Sequence, residues 1–353
     1  MEHTIYLDSA AMMKPLPVAI EAYRNAPFGN PSSEHAVGKA ARDALEQARE
    51  KIAKLMDCET TGNVYFTSTA TEAAALVSYS LAEHGCGIVA DEKEHHSILE
   101  NEDVFPFKPY GCCPRVCAAQ MLSNNETGEI NIERPDISDY QYGWLCDATA
   151  AVGHIRVSFK ELGADYMLFD GIKFGSVPGA AALIAKNGAP ISPLIRGGGQ
   201  ERGMRSGTEN VPAICAMSVA LEWQCEHMNE NMSILNGMRF FLINKLLEIK
   251  GSMLNTPYES AETLPHIINI SFPGVDAHAI ALLLSKEGVM VSPGAACSNG
   301  LHEPSHVIMA MFHDEERARS AIRISLSHEN TMEECQYAAE KIKECVEYLR
   351  SIS

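Results

Sequence analysis

Lys173 is the residue of this sequence whose surroundings best suit covalent chemistry. It follows residues 166–169, a short apolar run typical of a buried strand, which Asp170 and Gly171 bring to an end. An ammonium group in an apolar neighbourhood is costly to keep charged, and burial lowers its pKa. An amine of this kind can form a Schiff base. The alternative is a surface lysine whose stem lies along a strand edge.

A second candidate group lies where a predicted strand turns into a helix. Residues 68–71, Ser-Thr-Ala-Thr, follow the strand at 63–67 and precede an apolar helical run at 73–81. The N–H groups at the positive end of a helix can hold a phosphate. The alternative is a capping box in which one of the hydroxyl residues pairs with Glu72.

Composition and charge describe an acidic globular protein and exclude several partners. The chain has 353 residues, of which 46% are hydrophobic and 21% charged, and its net charge is -18. Nucleic-acid binding depends on clustered Lys and Arg, so we expect no nucleic-acid partner. No run approaches the roughly 18 apolar residues that span a membrane, and the first residues lack a signal-peptide pattern. We therefore expect neither membrane insertion nor export.

The cysteines indicate a reducing compartment. Eleven cysteines in a chain without an export signal are expected to be reduced thiols in the cytoplasm. Cys112, Cys113 and Cys117 form the tightest cluster, but no second pair follows at zinc-ribbon spacing. The sequence therefore predicts no metal site.

Apolar runs that end in polar residues recur along the chain and are separated by helical patterns or crossovers. This series predicts an α/β fold with a mainly parallel sheet flanked by helices, and a site along the carboxyl edge of the strands. The large domain is predicted at residues 15–250 and ends in a long helix, 211–249, broken near 229–232. Its predicted strands are residues 63–67, 87–91, 116–122, 144–146, 165–169 and 180–185.

Residues 251–353 predict a smaller α+β domain, against which residues 1–14 are expected to pack. Cys297 lies there on a small, polar loop that we expect to be mobile, so a thiolate could enter a site and leave it. The alternative is a cysteine on an ordinary exposed loop. The predicted elements are strands 267–272, 289–292 and 321–326 and helices 277–286, 305–311 and 332–349.

Ten segments of the chain, in this order, resemble the cysteine desulfurases, which are class V, fold type I pyridoxal-phosphate enzymes. The resemblance covers nearly the whole chain, and the glycine-arginine stretch and the cysteine loop are its most specific parts. The segments are Tyr6-Leu7-Asp8, Phe28-Gly29-Asn30-Pro31-Ser32, Ala70-Thr71-Glu72, Glu94-His95, Asn124-Asn125-Glu126-Thr127-Gly128, Asp147-Ala148-Thr149, Lys173, Arg202-Gly203-Met204-Arg205-Ser206-Gly207-Thr208, Ala296-Cys297-Ser298 and Ser320-Ala321-Ile322-Arg323.

The resemblance implies roles for residues at the cofactor ring. Lys173 would hold pyridoxal phosphate as an imine, and Asp147 would face the pyridine nitrogen and keep the ring protonated. His95 would cover the ring and transfer protons, with His96 a bystander.

The same resemblance assigns the phosphate and the substrate carboxylate. The phosphate would lie on Ala70 and Thr71, with Thr208 reaching in from a second subunit, so that a homodimer is implied. Asn125 and Arg323 would hold the carboxylate of the substrate, for which arginine offers a two-pronged fit.

The implied activity is cysteine desulfuration. L-Cysteine would lose its sulfur to Cys297, leaving L-alanine and a persulfide. A sulfur-acceptor protein, an iron-sulfur scaffold or a member of a thiolation pathway, or a small thiol would then collect the sulfur.

The cofactor pocket departs from the family pattern at four positions. Asp170 and Ile172 stand where the family has the serine and histidine that contact the phosphate. Ala150 replaces a glutamine that contacts the ring hydroxyl, and Thr69 replaces a glycine of the phosphate turn. Two alternatives follow: a cofactor-poor relative acting as a scaffold or sulfur carrier, and another reaction on the same cofactor, such as selenocysteine cleavage or transamination. The loop cysteine argues against plain transamination.

Overall fold

The computed structural model describes residues 4–104, 115–133, 135, 143–294 and 303–352. The chain forms two compact units. The larger unit comprises residues 14–122 and 131–227, and the smaller one residues 1–13, 123–130 and 228–353. In the described part of the chain, every helix is too short or too polar to cross a membrane.

Besides three single 3₁₀ turns, the described residues form twelve strands and ten α-helices. In chain order they are β1 (Ile5–Tyr6), α1 (Pro17–Asn25), α2 (Ala36–Leu55), β2 (Val64–Thr67), α3 (Ala70–Glu83), β3 (Cys86–Ala90), α4 (His96–Val104), β4 (Arg115–Ala119), β5 (Trp144–Asp147), α5 (Phe159–Leu162), β6 (Tyr166–Asp170), β7 (Ala181–Ala185), α6 (Val211–Leu247), β8 (Met253–Leu254), β9 (Ile267–Ser271), α7 (Ala277–Lys286), β10 (Val289–Met290), β11 (Ser292–Pro293), α8 (His306–Phe312), α9 (Glu315–Arg319), β12 (Ala321–Ser325) and α10 (Met332–Ile352).

The larger unit is built on a six-stranded sheet with the strand order β2-β7-β6-β5-β4-β3. Strands β3 to β6 are mutually parallel, whereas β7 is antiparallel to both of its neighbours. Every residue of β5, β6 and β7 is buried, which is typical of central strands that are covered on both faces. One face receives Leu76, Val77 and Leu81 from α3. The predicted, mainly parallel sheet flanked by helices is confirmed.

The smaller unit contains a four-stranded antiparallel sheet, ordered β11-β12-β9-β8, and a parallel pair formed by β1 and β10. Helix α10 packs on the core through an apolar stripe in which buried residues recur at three- and four-residue spacing, because that spacing returns to one face of a helix. The stripe consists of Cys335, Ala338, Ala339, Ile342, Cys345 and Val346.

Two predictions of secondary structure were wrong, and three helices were not predicted. Helix α6 runs without a break through residues 229–232, because that stretch has neither Gly nor Pro and asparagine costs a helix only about 0.7 kcal/mol relative to alanine. The strand predicted at 289–292 is two strands, β10 and β11, that belong to different sheets. The helices that were not predicted are α4, α5 and α9, and the four residues of α5 and five of α9 are too few for a periodic apolar pattern.

Candidate functional site

The carboxyl ends of five parallel strands share one edge of the six-stranded sheet. Strands β2 and β6 both run antiparallel to β7, so they run parallel to each other and to β3–β5. Ala70, His95, Asp147 and Lys173 each lie at or shortly after the end of one of these strands. The topology therefore brings four predicted cofactor residues to the same edge of the larger unit.

Lys173 lies on a tightly held turn. It ends a single 3₁₀ turn, Gly171–Lys173, directly after β6, and its side chain is half-buried. His154 donates a hydrogen bond from Nε2 to the Lys173 carbonyl at 2.9 Å, and Gln224 donates to the carbonyl of Phe174 at 3.1 Å. The Phe174 ring is fully buried. These contacts fix the backbone that carries the lysine.

Asp147 is buried at the end of β5, on the strand next to β6. One carboxylate oxygen accepts a hydrogen bond of 2.9 Å from the N–H of Thr149. Within the described residues, the second oxygen has no hydrogen-bond partner, and neither has the buried hydroxyl of Thr149. The carboxylate can therefore accept a further hydrogen bond, for example from a protonated ring nitrogen.

The His95 ring is held through Nδ1. That atom accepts a hydrogen bond from the N–H of Ser97 at 3.1 Å and lies 2.8 Å from the Ser97 hydroxyl oxygen. Because a backbone N–H can only donate, Nδ1 is the acceptor and the neutral ring carries its proton on Nε2. The ring of His96 lies edge-on to that of His95, with centroids 6.4 Å apart.

Glu94 is a buried acid that the sequence prediction left without a role. Its carboxylate accepts a hydrogen bond from the N–H of Met121. Burial, and then the nearby charge of Asp147, raise the pKa of Glu94 well above the usual range. The neutral form is thereby favoured, which limits the negative charge around Asp147. The sequence feature that could have indicated a role for Glu94 was its position after strand β3, next to His95.

The start of α3 contains the predicted capping contacts. Thr69 is the N-cap, and its hydroxyl accepts the N–H of Glu72 at 3.1 Å. The Glu72 carboxylate accepts the N–H of Ser68 at 2.9 Å and pairs with Arg205 at 2.6 Å. The capping interpretation is therefore confirmed, and α3 begins three residues earlier than its apolar pattern indicated, at Ala70.

Asp170 is directed at the same helix end. Its side chain is 5% exposed, and Oδ2 accepts a hydrogen bond from the N–H of Ala70 at 3.1 Å. Oδ1 accepts the N–H of Ile172 at 3.2 Å and so caps the lysine turn. The Ala70 N–H to which the resemblance assigns the phosphate is therefore already bonded to a carboxylate.

The glycine-arginine stretch is anchored by a buried ion pair. Arg49 donates two hydrogen bonds of 2.8 Å to the Glu201 carboxylate, which also accepts the N–H of Phe66. Glu201 and Arg202 have φ values of 47° and 59°, a left-handed conformation that is uncommon outside glycine. The ion pair holds the stretch in this conformation.

A cavity of about 210 Å³ lies beside this stretch, in the larger unit. Exposed Thr208 lines it together with Ser68, Arg205 and Glu209. Burial raises the pKa of Glu209, whose Oε2 has no hydrogen-bond partner in the described part of the chain. The sequence prediction missed Glu209, although it directly follows Thr208.

In the smaller unit, Arg323 and Asn125 are in contact. Arg323 is buried in β12 and donates a hydrogen bond of 3.0 Å to the main-chain carbonyl of Asn125. It also pairs with Asp8 at 2.9 Å. Among the described residues, the Arg323 Nε has no partner. The guanidinium therefore retains a donor for a carboxylate ligand.

Cys297 and its neighbours, residues 295–302, lie outside the described residues, whereas Ser292–Pro293, which the sequence prediction placed in the cysteine loop, form β11. Cys112 and Cys113 of the cysteine cluster do so as well, while Cys117 is buried in β4. The eight described cysteines are all free thiols.

The residues of the larger unit fit pyridoxal phosphate at its aldehyde and ring. Lys173 supplies the amine, Asp147 an open carboxylate oxygen and His95 an aromatic ring at one sheet edge. The unpartnered Thr149 hydroxyl adds a donor beside the half-buried Ala150. At the phosphate end the fit is partial. Among the described residues the main-chain N–H of Thr71 has no partner, but that of Ala70 is bonded to Asp170.

Comparisons with known proteins agree with these features. The aminotransferase class-V family model matches residues 5–103 and 114–337. Cysteine desulfurase IscS of Dictyoglomus turgidum is 34% identical over 385 residues, covering 100% of this chain and 97% of the relative. IscS 1 of Archaeoglobus fulgidus is 32% identical, with 95% and 94% covered.

Solved structures give the same result for the fold. A NifS-like protein superimposes with a TM-score of 0.88 at 30% identity, covering 98% of this chain and 100% of that one. The NifS-like protein of Rickettsia africae has the same TM-score and coverage at 28% identity. The predicted fold type I architecture and the resemblance to cysteine desulfurases are confirmed. The chain belongs to the class V aminotransferase family.

Proposed function

We propose that the protein is a cysteine desulfurase that uses pyridoxal phosphate to remove sulfur from L-cysteine. The observation that carries the proposal is the position of Asp147 and Lys173 at the ends of the neighbouring strands β5 and β6. A carboxylate beside an amine-bearing turn is what this cofactor needs at its ring nitrogen and its aldehyde. Relatives named cysteine desulfurase at about a third identity support the substrate class.

The residues of the larger unit would divide the work at the cofactor. When bound, pyridoxal phosphate withdraws electrons from the bonds at the substrate Cα. Lys173 would hold the cofactor through its amine and would move the proton of that carbon. Asp147 would keep the ring nitrogen protonated. His95 offers Nε2–H to the reacting groups, because Ser97 holds Nδ1 as an acceptor.

Arg323 and Cys297 would act on the substrate itself. Arg323 and Asn125 bind the carboxylate of L-cysteine. The thiolate of Cys297 attacks the substrate sulfur, so that the carbon–sulfur bond breaks and a sulfur–sulfur bond forms. L-Cysteine and the Cys297 thiol thereby become L-alanine and a persulfide, with atoms and electrons in balance.

Three finer assignments belong to the same proposal. The protein is a homodimer in which Thr208 of a second copy reaches the phosphate, as the exposure of Thr208 allows. A sulfur-acceptor protein of an iron-sulfur or thiolation pathway takes the persulfide sulfur. The protein works in the cytoplasm, in keeping with its free thiols.

A cofactor-poor sulfur carrier is the second candidate function. The hydrogen bond from Ala70 to Asp170 favours it, because a carboxylate stands where the family pattern has a phosphate-binding serine. Such a protein would take the outer sulfur of an external persulfide onto the Cys297 thiol, leaving the donor as a thiol, and would release no alanine from L-cysteine.

The test is to load the purified protein with pyridoxal phosphate, add L-cysteine and measure alanine, sulfide and the visible spectrum. We expect a coloured protein that forms alanine and sulfide in equal amounts when a reducing thiol is present. Cys297→Ala should stay coloured and lose sulfide release, whereas Cys215→Ala, on α6, should behave as the wild type. A coloured wild-type protein that forms no alanine would exclude the desulfurase. A colourless protein would favour the sulfur carrier.

A further inference from the structure

Asp170 connects the lysine turn to the start of α3. It is the last residue of β6, and its two carboxylate oxygens accept separate hydrogen bonds, from the N–H of Ile172 at 3.2 Å and from that of Ala70 at 3.1 Å. The bond to Ala70 spans 100 positions in the sequence. The carboxylate therefore does more than cap its own turn.

At the start of α3, side chains of the protein accept most of the main-chain N–H groups that have no partner within the helix. Ala70 donates to Asp170, and Glu72 donates to the hydroxyl of Thr69 at 3.1 Å. Within the described residues, the N–H of Thr71 has no partner. A helix N-terminus attracts anions through its free N–H groups and its dipole. The Asp170 carboxylate is such an anion, and it already accepts one of these N–H groups.

Within the described residues, no ion pair neutralises the charge of Asp170. Arg205, a cation at this helix end, donates instead to Glu72 at 2.6 and 3.1 Å. Burial raises the pKa of Asp170, opposed by the hydrogen bonds from Ala70 and Ile172 and by the charge of Lys173. The nearby charge of Asp147 adds to the rise. Charged Asp170 is therefore held mainly by the two backbone N–H groups, and a phosphate would compete for one of them.

We propose that Asp170 is a specificity-determining residue: it acts as a built-in anion at the N-terminus of α3 and competes there with the phosphate of the cofactor. The inference rests on the proposed function, because it takes pyridoxal phosphate as the ligand. The consequence concerns the ratio of the affinity for pyridoxal phosphate to the affinity for pyridoxal, which is the same aldehyde without phosphate. This ratio is smaller in the natural protein than it would be with a neutral residue at position 170.

The experiment is to titrate the full-length wild-type protein and two variants, Asp170→Ser and Asp170→Asn, with pyridoxal phosphate and with pyridoxal. Binding is followed by the visible absorbance of the lysine-bound aldehyde. Both variants remove the negative charge and one of the two acceptor oxygens, and both keep an oxygen that can cap Ile172. We expect at least tenfold tighter binding of pyridoxal phosphate and less than a threefold change for pyridoxal.

Asp165→Asn is the matched control. Asp165 precedes β6 at the opposite end of the strand and accepts the N–H of Trp144 at 2.9 Å, so its substitution removes the same charge away from α3. The ratio of the two affinities should be unchanged in this variant. Melting temperatures of all four proteins identify any variant that has failed to fold, and the second substitution at position 170 then carries the test.

The outcomes separate this inference from the proposed function. A raised ratio in the Asp170 variants supports the inference. If only the variants bind pyridoxal phosphate, the inference is also supported, but the natural chain does not use its proposed cofactor. An unchanged ratio, with pyridoxal phosphate bound by every protein, overturns the inference and leaves the function intact. Failure of every folded variant to bind either aldehyde overturns both.

Discussion

The guanidinium of Arg49 meets the carboxylate of Glu201 in a two-pronged ion pair, with both N–O distances at 2.8 Å and both side chains at most 4% exposed. Among the described residues, removing the charge of Glu201 leaves buried Arg49 with only one carboxylate partner, the exposed Glu46 at 3.2 Å. We expect Glu201→Gln to lower the free energy of unfolding by about 3 kcal/mol, measured by urea denaturation.

The matched control is Glu161→Gln, which breaks the exposed pair of Arg156 and Glu161 at the surface. Exposed pairs contribute about 0.2 to 1 kcal/mol, so this variant should unfold nearly as the wild type does. Equal losses in the two variants would mean that the buried pair has no special role.

Lys173→Ala should remove covalent attachment of the cofactor. The visible band of the wild-type protein with pyridoxal phosphate should disappear, and alanine formation should fall by at least a thousandfold, because no other amine is held on that turn. Lys186→Ala, on an exposed lysine after β7, serves as the control and should keep both. An unchanged spectrum in Lys173→Ala would disprove the assignment of this lysine.

Arg323→Lys should weaken substrate binding while sparing the cofactor. Lysine keeps the charge but lacks the fork that matches a carboxylate, so KM for L-cysteine should rise about tenfold, equivalent to about 1.4 kcal/mol. The absorbance of bound pyridoxal phosphate should stay the same. Arg319→Lys, in the exposed pair with Glu315, should leave KM unchanged. If KM is also unchanged in Arg323→Lys, the guanidinium does not bind the substrate.

The Glu72–Arg205 pair should make stability depend on pH. Burial opposes the charged carboxylate, but hydrogen bonds from Arg205 and Ser68 outweigh it and leave the pKa of Glu72 below its ordinary value of 4.5. A depressed pKa contributes stability that is present above the ordinary value and is lost as the pH falls through the folded-state value.

Urea denaturation of the wild type and of Glu72→Gln checks this sign. At pH 7 the wild type should be more stable by about 1 to 2 kcal/mol, and the difference should shrink as the pH falls below 4.5. A difference that grows on acidification would contradict the pKa direction.

Much of the fold could be predicted because its signals are local. The apolar runs of β5 and β6 and the polar residues after them predicted both the central strands and the edge at which Asp147 and Lys173 lie. The same patterns did not indicate the short helix α9, and they predicted a break in α6 where the helix is continuous.

Long-range pairings at the site could not be predicted in the same way. The sequence showed that Asp170 replaces a serine of the family pattern, but not that its carboxylate bonds to Ala70. Nor could it pair Arg49 with Glu201, which are separated by 152 positions. Such contacts depend on how strands order themselves in the sheet, which no local pattern encodes. The role of Cys297 stays a prediction.

The reversed direction of β7 has a consequence for how the lysine turn is assembled. Because β7 is antiparallel to β6, the chain returns along its neighbour after only residues 171–180, without the crossover helix that a parallel partner requires. Closing so short a loop costs little chain entropy. The turn that carries Lys173 can therefore close within one contiguous stretch of chain, whereas Asp147 and His95 reach the same sheet edge only after distant segments have paired.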